Sequence, residues 1–146
     1  MEVPNLYEKD FYAWSRESAR LMRERKFSEL DIENIAYEIE AMGKRDKREL
    51  ASRLSSLLTH LLKWRYEAEY RSRSWNLTIV NQRAEIGDLL EDSPSLSHIL
   101  PDMIASAYSR ARKTAALETG LPAATFPETC PYSQAEILDA DFLPNQ

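Results

Sequence analysis

The two histidines and the single cysteine are the side chains best suited to acid–base, nucleophilic or metal chemistry near neutral pH. Neither His60 nor His98 has a glutamate three residues before it, which is the spacing that di-iron helical bundles use. The patterns H-x-x-x-H, C-x-x-C and H-E-x-x-H are also absent, so we expect no metal site and no cofactor. Cys130 lies between Thr129 and Pro131 with no adjacent cation, which predicts a structural thiol.

One segment interleaves cations with aromatic side chains and is the most suggestive candidate for binding. Its members are Lys63, Trp64, Arg65, Tyr66, Tyr70, Arg71, Arg73 and Trp75. Arginine forks bind phosphate or carboxylate groups, and aromatic faces stack on bases or cations. The alternative is that the tryptophans anchor a core at a helix turn while Arg71 and Arg73 pair with acidic helices.

Two single residues complete the set of candidates. Glu38 and Glu40 lie about 200° apart around a helix, so they cannot form a carboxylate pair with each other, although either can meet a base on another helix. His60 lies on the rim of a leucine-rich helix, where a histidine can act as a general base, yet no nucleophile stands beside it. We assign no catalytic residue and no metal ligand. The candidate binding residues are Glu38, His60, Trp64, Arg71, Arg73 and Trp75.

A leucine-rich helix must position most of these residues. Leucines recur at spacings of three and four along one side of it, at Leu50, Leu54, Leu57, Leu58 and Leu61, which predicts the core helix of the fold. Isoleucines from Ile32 onward continue the same stripe in phase, because 18 residues make about five helical turns. We therefore expect one long helix over about 31–68. Gly43 favours a break, since glycine costs about 1 kcal/mol inside a helix, unless another segment crosses closely there.

The remaining elements are also helical. We expect a helix over about 8–25 capped by Asp10, a second from Trp75 to Asp92, and a third from Pro94 to Gly120 that Pro101 kinks or splits. A proline-punctuated tail follows, with a short helix at the capping box that begins at Ser133. The predicted fold is an all-α single domain over 1–146. It contains a bundle of about four main helices over about 6–120 and a packed C-terminal tail over 121–146.

Composition and charge bound the function. The chain of 146 residues is 43% hydrophobic, which suffices for one core, and its net charge is −5. This total disfavours nucleic acid and anionic membranes as partners, although residues 44–75 carry nine Lys/Arg against four Asp/Glu. No apolar run approaches the roughly 18 residues of a membrane helix, and no signal-peptide plan is visible. With only one cysteine, these features predict a cytoplasmic protein.

Several segments in order resemble a known family. They are YEKDFYAW from Tyr7, LDIENIAYEIEAMGK from Leu30, HLLKW from His60, RSRSW from Arg71, DSPSL from Asp92, ETGLP from Glu118, FPETCPY from Phe126 and the closing DFLP. In these pieces the chain resembles a bacterial family known as domain of unknown function family 29, common in cyanobacteria and also found in proteobacteria. The resemblance implies a small all-helical protein without an assigned activity. Its recurring positions are Asp10, Trp14, Glu38, Glu40, His60, Trp64, Arg73 and Trp75.

The sequence leaves three classes of function open. The favoured one is a non-enzymatic interaction or regulatory module, whose partner is another protein or a second copy of the chain. The alternative is a binder of nucleic acid or another phosphate-bearing ligand through segment 63–75. An enzyme of unrecognised type is the third, and it lacks any catalytic triad, metal motif or phosphate loop in the sequence.

Overall fold

The computed structural model describes residues 3–145, and the side chains of residues 6–145. Over this part of the chain the regular structure is entirely helical, which confirms the all-α prediction. The α-helices are α1 Val3–Lys9, α2 Phe11–Arg23, α3 Ile32–Tyr66, α4 Arg73–Asp92, α5 Leu100–Thr119 and α6 Gln134–Leu138. None of the helices in these residues has the length and apolar character needed to cross a membrane.

The described chain divides into two compact units, with the boundary between Arg45 and Asp46. We call them the N-terminal unit and the C-terminal unit. The boundary falls within α3, so the first part of this helix belongs to one unit and the second part to the other. The prediction of a single domain stays a prediction.

The N-terminal unit has a small core. Asp10 separates the first two helices and caps α2, because its side chain accepts a hydrogen bond from the Ala13 amide at 3.0 Å. Trp14 and Leu21 are buried on one face of α2. The helix predicted over 8–25 is thus observed as α2. The seven residues of α1 were not predicted as a helix, because so short a segment shows no apolar periodicity.

The long helix α3 is continuous through Gly43, as predicted. Its second part carries the core of the C-terminal unit, and the five predicted leucines are all fully buried: Leu50, Leu54, Leu57, Leu58 and Leu61. The helix ends at Tyr66, and a 3₁₀ turn, Ala68–Tyr70, leads to α4. The prediction of a core helix is confirmed.

The other helices of the C-terminal unit pack on these leucines. Ile79 and Ile86 of α4 and Ala111 and Ala115 of α5 are buried in the same cluster. Pro94 and Pro101 mark where the chain changes conformation between α4 and α5. A 3₁₀ segment occupies Pro94–His98, and α5 begins at Leu100 with Pro101 in its first turn, so the predicted helix is split there rather than kinked.

The C-terminal tail is fixed to this core. Phe126, Tyr132 and Ile137 are buried in the same cluster as the leucines. Gly120 ends α5 with a φ of +75°, a left-handed conformation that glycine adopts at little cost. Ser133 and Glu136 form the predicted capping box at the start of α6. The short last helix is therefore confirmed.

Candidate functional site

Arg71 and Trp64 form a pair at the turn between α3 and α4. The Arg71 guanidinium lies over the Trp64 ring, 5.2 Å from its centroid, and Nε donates a hydrogen bond to the Trp64 carbonyl oxygen at 2.7 Å. One terminal nitrogen, Nη2, is buried and has no hydrogen-bond partner among the described residues. Because the carbonyl near the end of α3 would otherwise lack a partner, this contact stabilises the end of the helix.

Lys63 and Trp75 form a second cation–aromatic pair. The Lys63 ammonium lies 4.9 Å from the centre of the Trp75 ring and 2.9 Å from a carboxylate oxygen of Glu118 on α5. Trp75 lies in the first turn of α4, where Ser72 caps the helix by accepting a hydrogen bond from the Trp75 amide at 3.1 Å. These contacts connect α3, α4 and α5. Cation–π pairs of this kind are worth about 0.5–1 kcal/mol at exposed sites.

Arg73 is the first residue of α4 and is exposed. It makes no ion pair or side-chain hydrogen bond within the described part of the chain. The structure therefore joins Trp64 with Arg71, and Lys63 with Trp75, but among the described residues it gives Arg73 no hydrogen bond or ion pair with either pair. The role of Arg73 as a binding residue stays a prediction.

His60 lies in a shallow groove of about 240 Å³ between α3 and α5. The groove is lined mainly by hydroxyl-bearing side chains together with Arg110 and Glu118; the hydroxyl groups belong to Ser52, Ser55, Ser56, Thr59 and Thr114. The His60 Nδ1 atom lies 2.8 Å from the Ser56 carbonyl oxygen. A carbonyl oxygen only accepts, so Nδ1 carries the proton in this contact.

The surroundings of His60 do not form a catalytic arrangement. Nε2 is left available as an acceptor, yet no hydroxyl group of the described residues hydrogen bonds to the ring. The nearby Glu118 carboxylate is paired with Lys63 instead. A general base needs its nucleophile within about 3 Å, directly or through one water. Among the described residues no hydroxyl group is therefore paired with His60 as a nucleophile.

No three histidine, cysteine, aspartate or glutamate side chains between residues 6 and 145 lie close enough together to hold a metal ion. Cys130 is half-buried, and burial raises the pKa of its thiol. A thiol with a raised pKa is a poor nucleophile and a poor metal ligand at neutral pH.

Glu38 lies in the N-terminal unit, whereas the other five candidates lie in the C-terminal unit. Its carboxylate accepts a hydrogen bond from the Tyr7 hydroxyl, and this bond raises the pKa of Tyr7 to about 12. The Tyr7 ring packs edge-on against Trp14, with 4.7 Å between the ring centroids. Glu38 therefore connects α3 to α1 within this unit.

Sequence reasoning missed a concentration of exposed apolar side chains in the N-terminal unit. Among the side chains that the structure describes, twelve large hydrophobic ones are exposed, and eight of them precede residue 46. These eight are Phe11, Tyr12, Met22, Phe27, Ile32, Tyr37, Ile39 and Met42. The sequence shows the stripe of Ile32, Ile39 and Met42, but it does not show which parts of a stripe are covered.

Comparison with known proteins gives a family and no function. The family model described as domain of unknown function DUF29 matches residues 6–143, which is nearly the whole chain. This chain belongs to the DUF29 family. No curated protein and no solved structure matches it. The DUF29 assignment confirms the resemblance and leaves the function to be argued from the structure.

Residues of the DUF29 segments quoted above contact each other in pairs. Tyr7 and Trp14 from the first segment meet each other, and Tyr7 bonds Glu38 from the second. Trp64 from HLLKW meets Arg71 from RSRSW, and Lys63 meets Trp75 in the same two segments. These contacts join helices, so packing accounts for these positions without any ligand.

Proposed function

We propose that this DUF29 protein is a cytoplasmic, non-enzymatic interaction module that binds a protein partner through exposed apolar side chains of its N-terminal unit. The observation that carries the proposal is the uneven distribution of exposed apolar side chains. The N-terminal unit contains less than a third of the residues and two thirds of the exposed large hydrophobic side chains. Concentrated exposed apolar surface is typical of interaction sites.

The first part of α3 is the clearest segment of this surface. Ile32, Ile39 and Met42 are 56%, 57% and 49% exposed. They lie on one side of the helix, since their spacings of seven and three residues bring them within about 80° of each other. Ile35 lies between Ile39 and Met42 on the same side and packs on the small core. A helix side with this pattern binds another helix or a hydrophobic groove.

The small core of the N-terminal unit is consistent with a surface that a partner covers. Among the side chains that the structure describes, Trp14 and Leu21 form its buried apolar centre, with four partly buried neighbours, Leu6, Tyr7, Leu30 and Ile35. The Trp14 indole nitrogen and the Ser18 hydroxyl are buried without a hydrogen-bond partner among the described residues. Each such group costs about 1–3 kcal/mol. A partner that buries further apolar area would offset these costs.

The phosphate-binding alternative has less geometric support. Arg71 and Lys63 already contact Trp64 and Trp75, and each also bonds a protein oxygen. Nucleic-acid stacking needs aromatic faces open to solvent, but one face of each of these rings is occupied by a cation of the same chain. Exposed Arg73 is the residue that tests this alternative without disturbing the turn.

Affinity capture tests the proposal. The tagged protein is captured from extract of its own cells with and without nuclease, at low and high salt, and the bound proteins are quantified by mass spectrometry. We expect a stoichiometric protein partner that survives nuclease. The Ile32→Glu and Ile39→Glu variants should lose it, because each places a charge on the exposed apolar side of α3. Leu77→Glu is the matched control, since Leu77 is 53% exposed but lies in the C-terminal unit.

Two results would overturn the proposal. In the first, the partner is retained equally by Ile39→Glu and by the control, which would move the surface elsewhere. In the second, recovery depends on nuclease and falls steeply with salt, as counterion release requires of a phosphate binder. Loss of that recovery in Arg73→Ala would assign the binding to segment 63–75.

A further inference from the structure

We infer that the first part of α3 binds the same segment of a second copy of this chain in antiparallel orientation. This inference rests on the proposed function and names its partner. The contact stripe consists of Ile32, Ala36, Ile39 and Gly43, all of which are exposed. At 100° per residue they lie within about 60° of the helix circumference and span about 16 Å of its length.

Gly43 is the first reason to expect a close partner. Glycine within a helix costs about 1 kcal/mol relative to alanine. Within the part of the chain that the structure describes nothing compensates, because a Cβ atom at Gly43 would meet none of its atoms within 4 Å. Its φ is not positive, so the backbone does not require glycine either. A second helix that crosses closely at Gly43 would explain the glycine, because a residue without a side chain lets two helices approach each other closely.

Large and small side chains alternate along the stripe. Ile32 is followed four residues later by Ala36, and Ile39 four residues later by Gly43. When two copies run antiparallel, Ile32 of one copy can face Gly43 of the second copy, while Ile39 faces Ala36. Each isoleucine then fills the space above a small residue, which is the complementary packing that close helix pairs need.

The charges on the two flanks select a second copy and its direction. Over residues 31–43 the helix carries four acidic residues and no basic one, whereas Lys44 and Arg45 follow directly. In an antiparallel pair the same flank of each helix meets itself, so Glu33 lies between Lys44 and Glu40 of the second copy and Asp31 lies near Arg45. A parallel pair would place acids beside acids and Lys44 beside Arg45. The helix is thus electrostatically complementary to its own reverse.

Available partners within the chain do not satisfy these charges. Glu33, Lys44 and Arg45 make no ion pair among residues 6–145, and all three are exposed.

A contact of three helical turns belongs to the small interface class, below about 1,200 Å² in total, which is typical of weak and reversible association. We expect a dimer with a dissociation constant in the micromolar range, on the order of 10–100 µM.

Sedimentation equilibrium of the full chain tests the inference. Between about 1 and 500 µM the average mass should rise from that of a monomer toward that of a dimer. Ile39→Glu should weaken the association at least tenfold, because it buries a charge at the centre of the stripe. Leu77→Glu, with matched exposure in the other unit, should leave it unchanged.

A charge exchange tests the antiparallel arrangement itself. Lys44→Glu alone places glutamate against Glu33 of the second copy, so this single variant should associate less tightly. The double variant Glu33→Lys/Lys44→Glu restores opposite charges and should recover the wild-type dissociation constant. Circular dichroism confirms that each variant remains helical.

The outcomes separate this inference from the proposed function. A chain that stays monomeric to about 500 µM, or a dimer that Ile39→Glu does not weaken, overturns the second copy as the occupant. If that monomer still captures a stoichiometric protein that Ile39→Glu releases, the proposed function stands with a different partner. Failure of the double variant to recover association overturns the antiparallel pairing.

Discussion

The two parts of α3 have the same apolar pattern and opposite environments. In the second part, Leu54, Leu58 and Leu61 are fully buried among α4, α5 and the tail. In the first part, Ile32 and Ile39 repeat at helical spacing but are more than half exposed. A helix side of this kind requires other residues to cover it, and among the described residues the leucines are covered and Ile32 and Ile39 are not. Apolar periodicity therefore predicts that one side of a helix is buried, but it does not predict whether the same chain or another molecule buries that side.

The difference between the two parts of α3 is tested most strongly by truncating one apolar side chain in each part. Leu58→Ala should lower the free energy of unfolding by about 3 kcal/mol, because it leaves a cavity in a packed core. Ile39→Ala should change it by less than about 0.5 kcal/mol in dilute solution, since an exposed side chain has few contacts to lose. Urea denaturation of the two variants measures both values. Equal losses would show that the first part is covered within the monomer.

A second prediction concerns the buried cation of the C-terminal unit. Arg83 donates hydrogen bonds to the carbonyl oxygens of Ile137 at 2.9 Å and Glu136 at 3.2 Å, so it holds the end of α6. Burial lowers the pKa of its guanidinium, which still stays charged near neutral pH. Arg83→Met should cost about 2 kcal/mol, since two carbonyls lose their partner.

The same variant should also expose the tail to proteases. Cleavage after α5 should become faster in Arg83→Met, because the tail detaches without global unfolding. Arg110→Met is the control, since Arg110 is exposed and makes no ion pair within the described residues. Limited proteolysis with mass spectrometry locates the cuts. An unchanged tail in Arg83→Met would show that apolar packing alone fixes α6.

Gly43→Ala tests the packing near the boundary between the two parts of α3, because it should have opposite effects on monomer stability and on association. In dilute solution it should stabilise the monomer by up to about 1 kcal/mol, because the new methyl group meets no atom of the described residues within 4 Å. At high concentration the same variant should associate less tightly, since the methyl group occupies the space that Ile32 of the second copy needs. Thermal unfolding and sedimentation equilibrium measure the two effects. Tighter association would contradict the proposed packing.

The smallest effect is on tyrosine ionisation. The bond to Glu38 raises the pKa of Tyr7 to about 12, and burial raises that of Tyr108 to about 12 and that of Tyr132 further. The stability that these protonated groups contribute is fully present below about pH 10 and is lost as the pH rises through about 12. At about pH 11 the folded chain should therefore show less tyrosinate absorbance than the chain in urea.

A single variant assigns part of that absorbance to the N-terminal unit. Glu38→Gln removes the charge beside Tyr7, so the Tyr7 pKa should fall toward its ordinary value while the other two tyrosines are unaffected. Glu40→Gln, two residues away on the exposed side, is the matched control. An unchanged titration in Glu38→Gln would contradict the contact between α1 and α3.

Much of the fold could be predicted from the sequence because local signals agreed. Leucine spacing, the cap at Asp10, the glycine at position 120 and the capping box at Ser133 each act over a few residues, and each is observed. The phase between Ile32 and Leu50 also predicted a continuous α3 correctly. The helix α1 could not be predicted, because its seven residues are too few to show an apolar periodicity. The role of Arg83 could not be predicted either, because its hydrogen-bond partner Ile137 lies more than fifty residues away in the sequence.

The candidate site was less predictable for a related reason. Residue types around Trp64 and Trp75 suggested binding, but only the structure shows that Arg71 and Lys63 contact these rings themselves. The exposed stripe on the first part of α3 has apolar residues at the same helical spacing as a buried stripe, so the sequence does not distinguish the two. Gly43 was the one local signal that could have marked it, since a glycine there suggests a close crossing.

Hydrogen–deuterium exchange at two protein concentrations tests most directly the claim that another chain covers the first part of α3. At about 1 µM the amides of residues 32–43 should exchange much faster than those of residues 54–62, because few buried contacts hold them. At about 500 µM only residues 32–43 should gain protection. If both segments were equally protected and neither responded to concentration, the stripe would be covered within the monomer and the second copy would be ruled out.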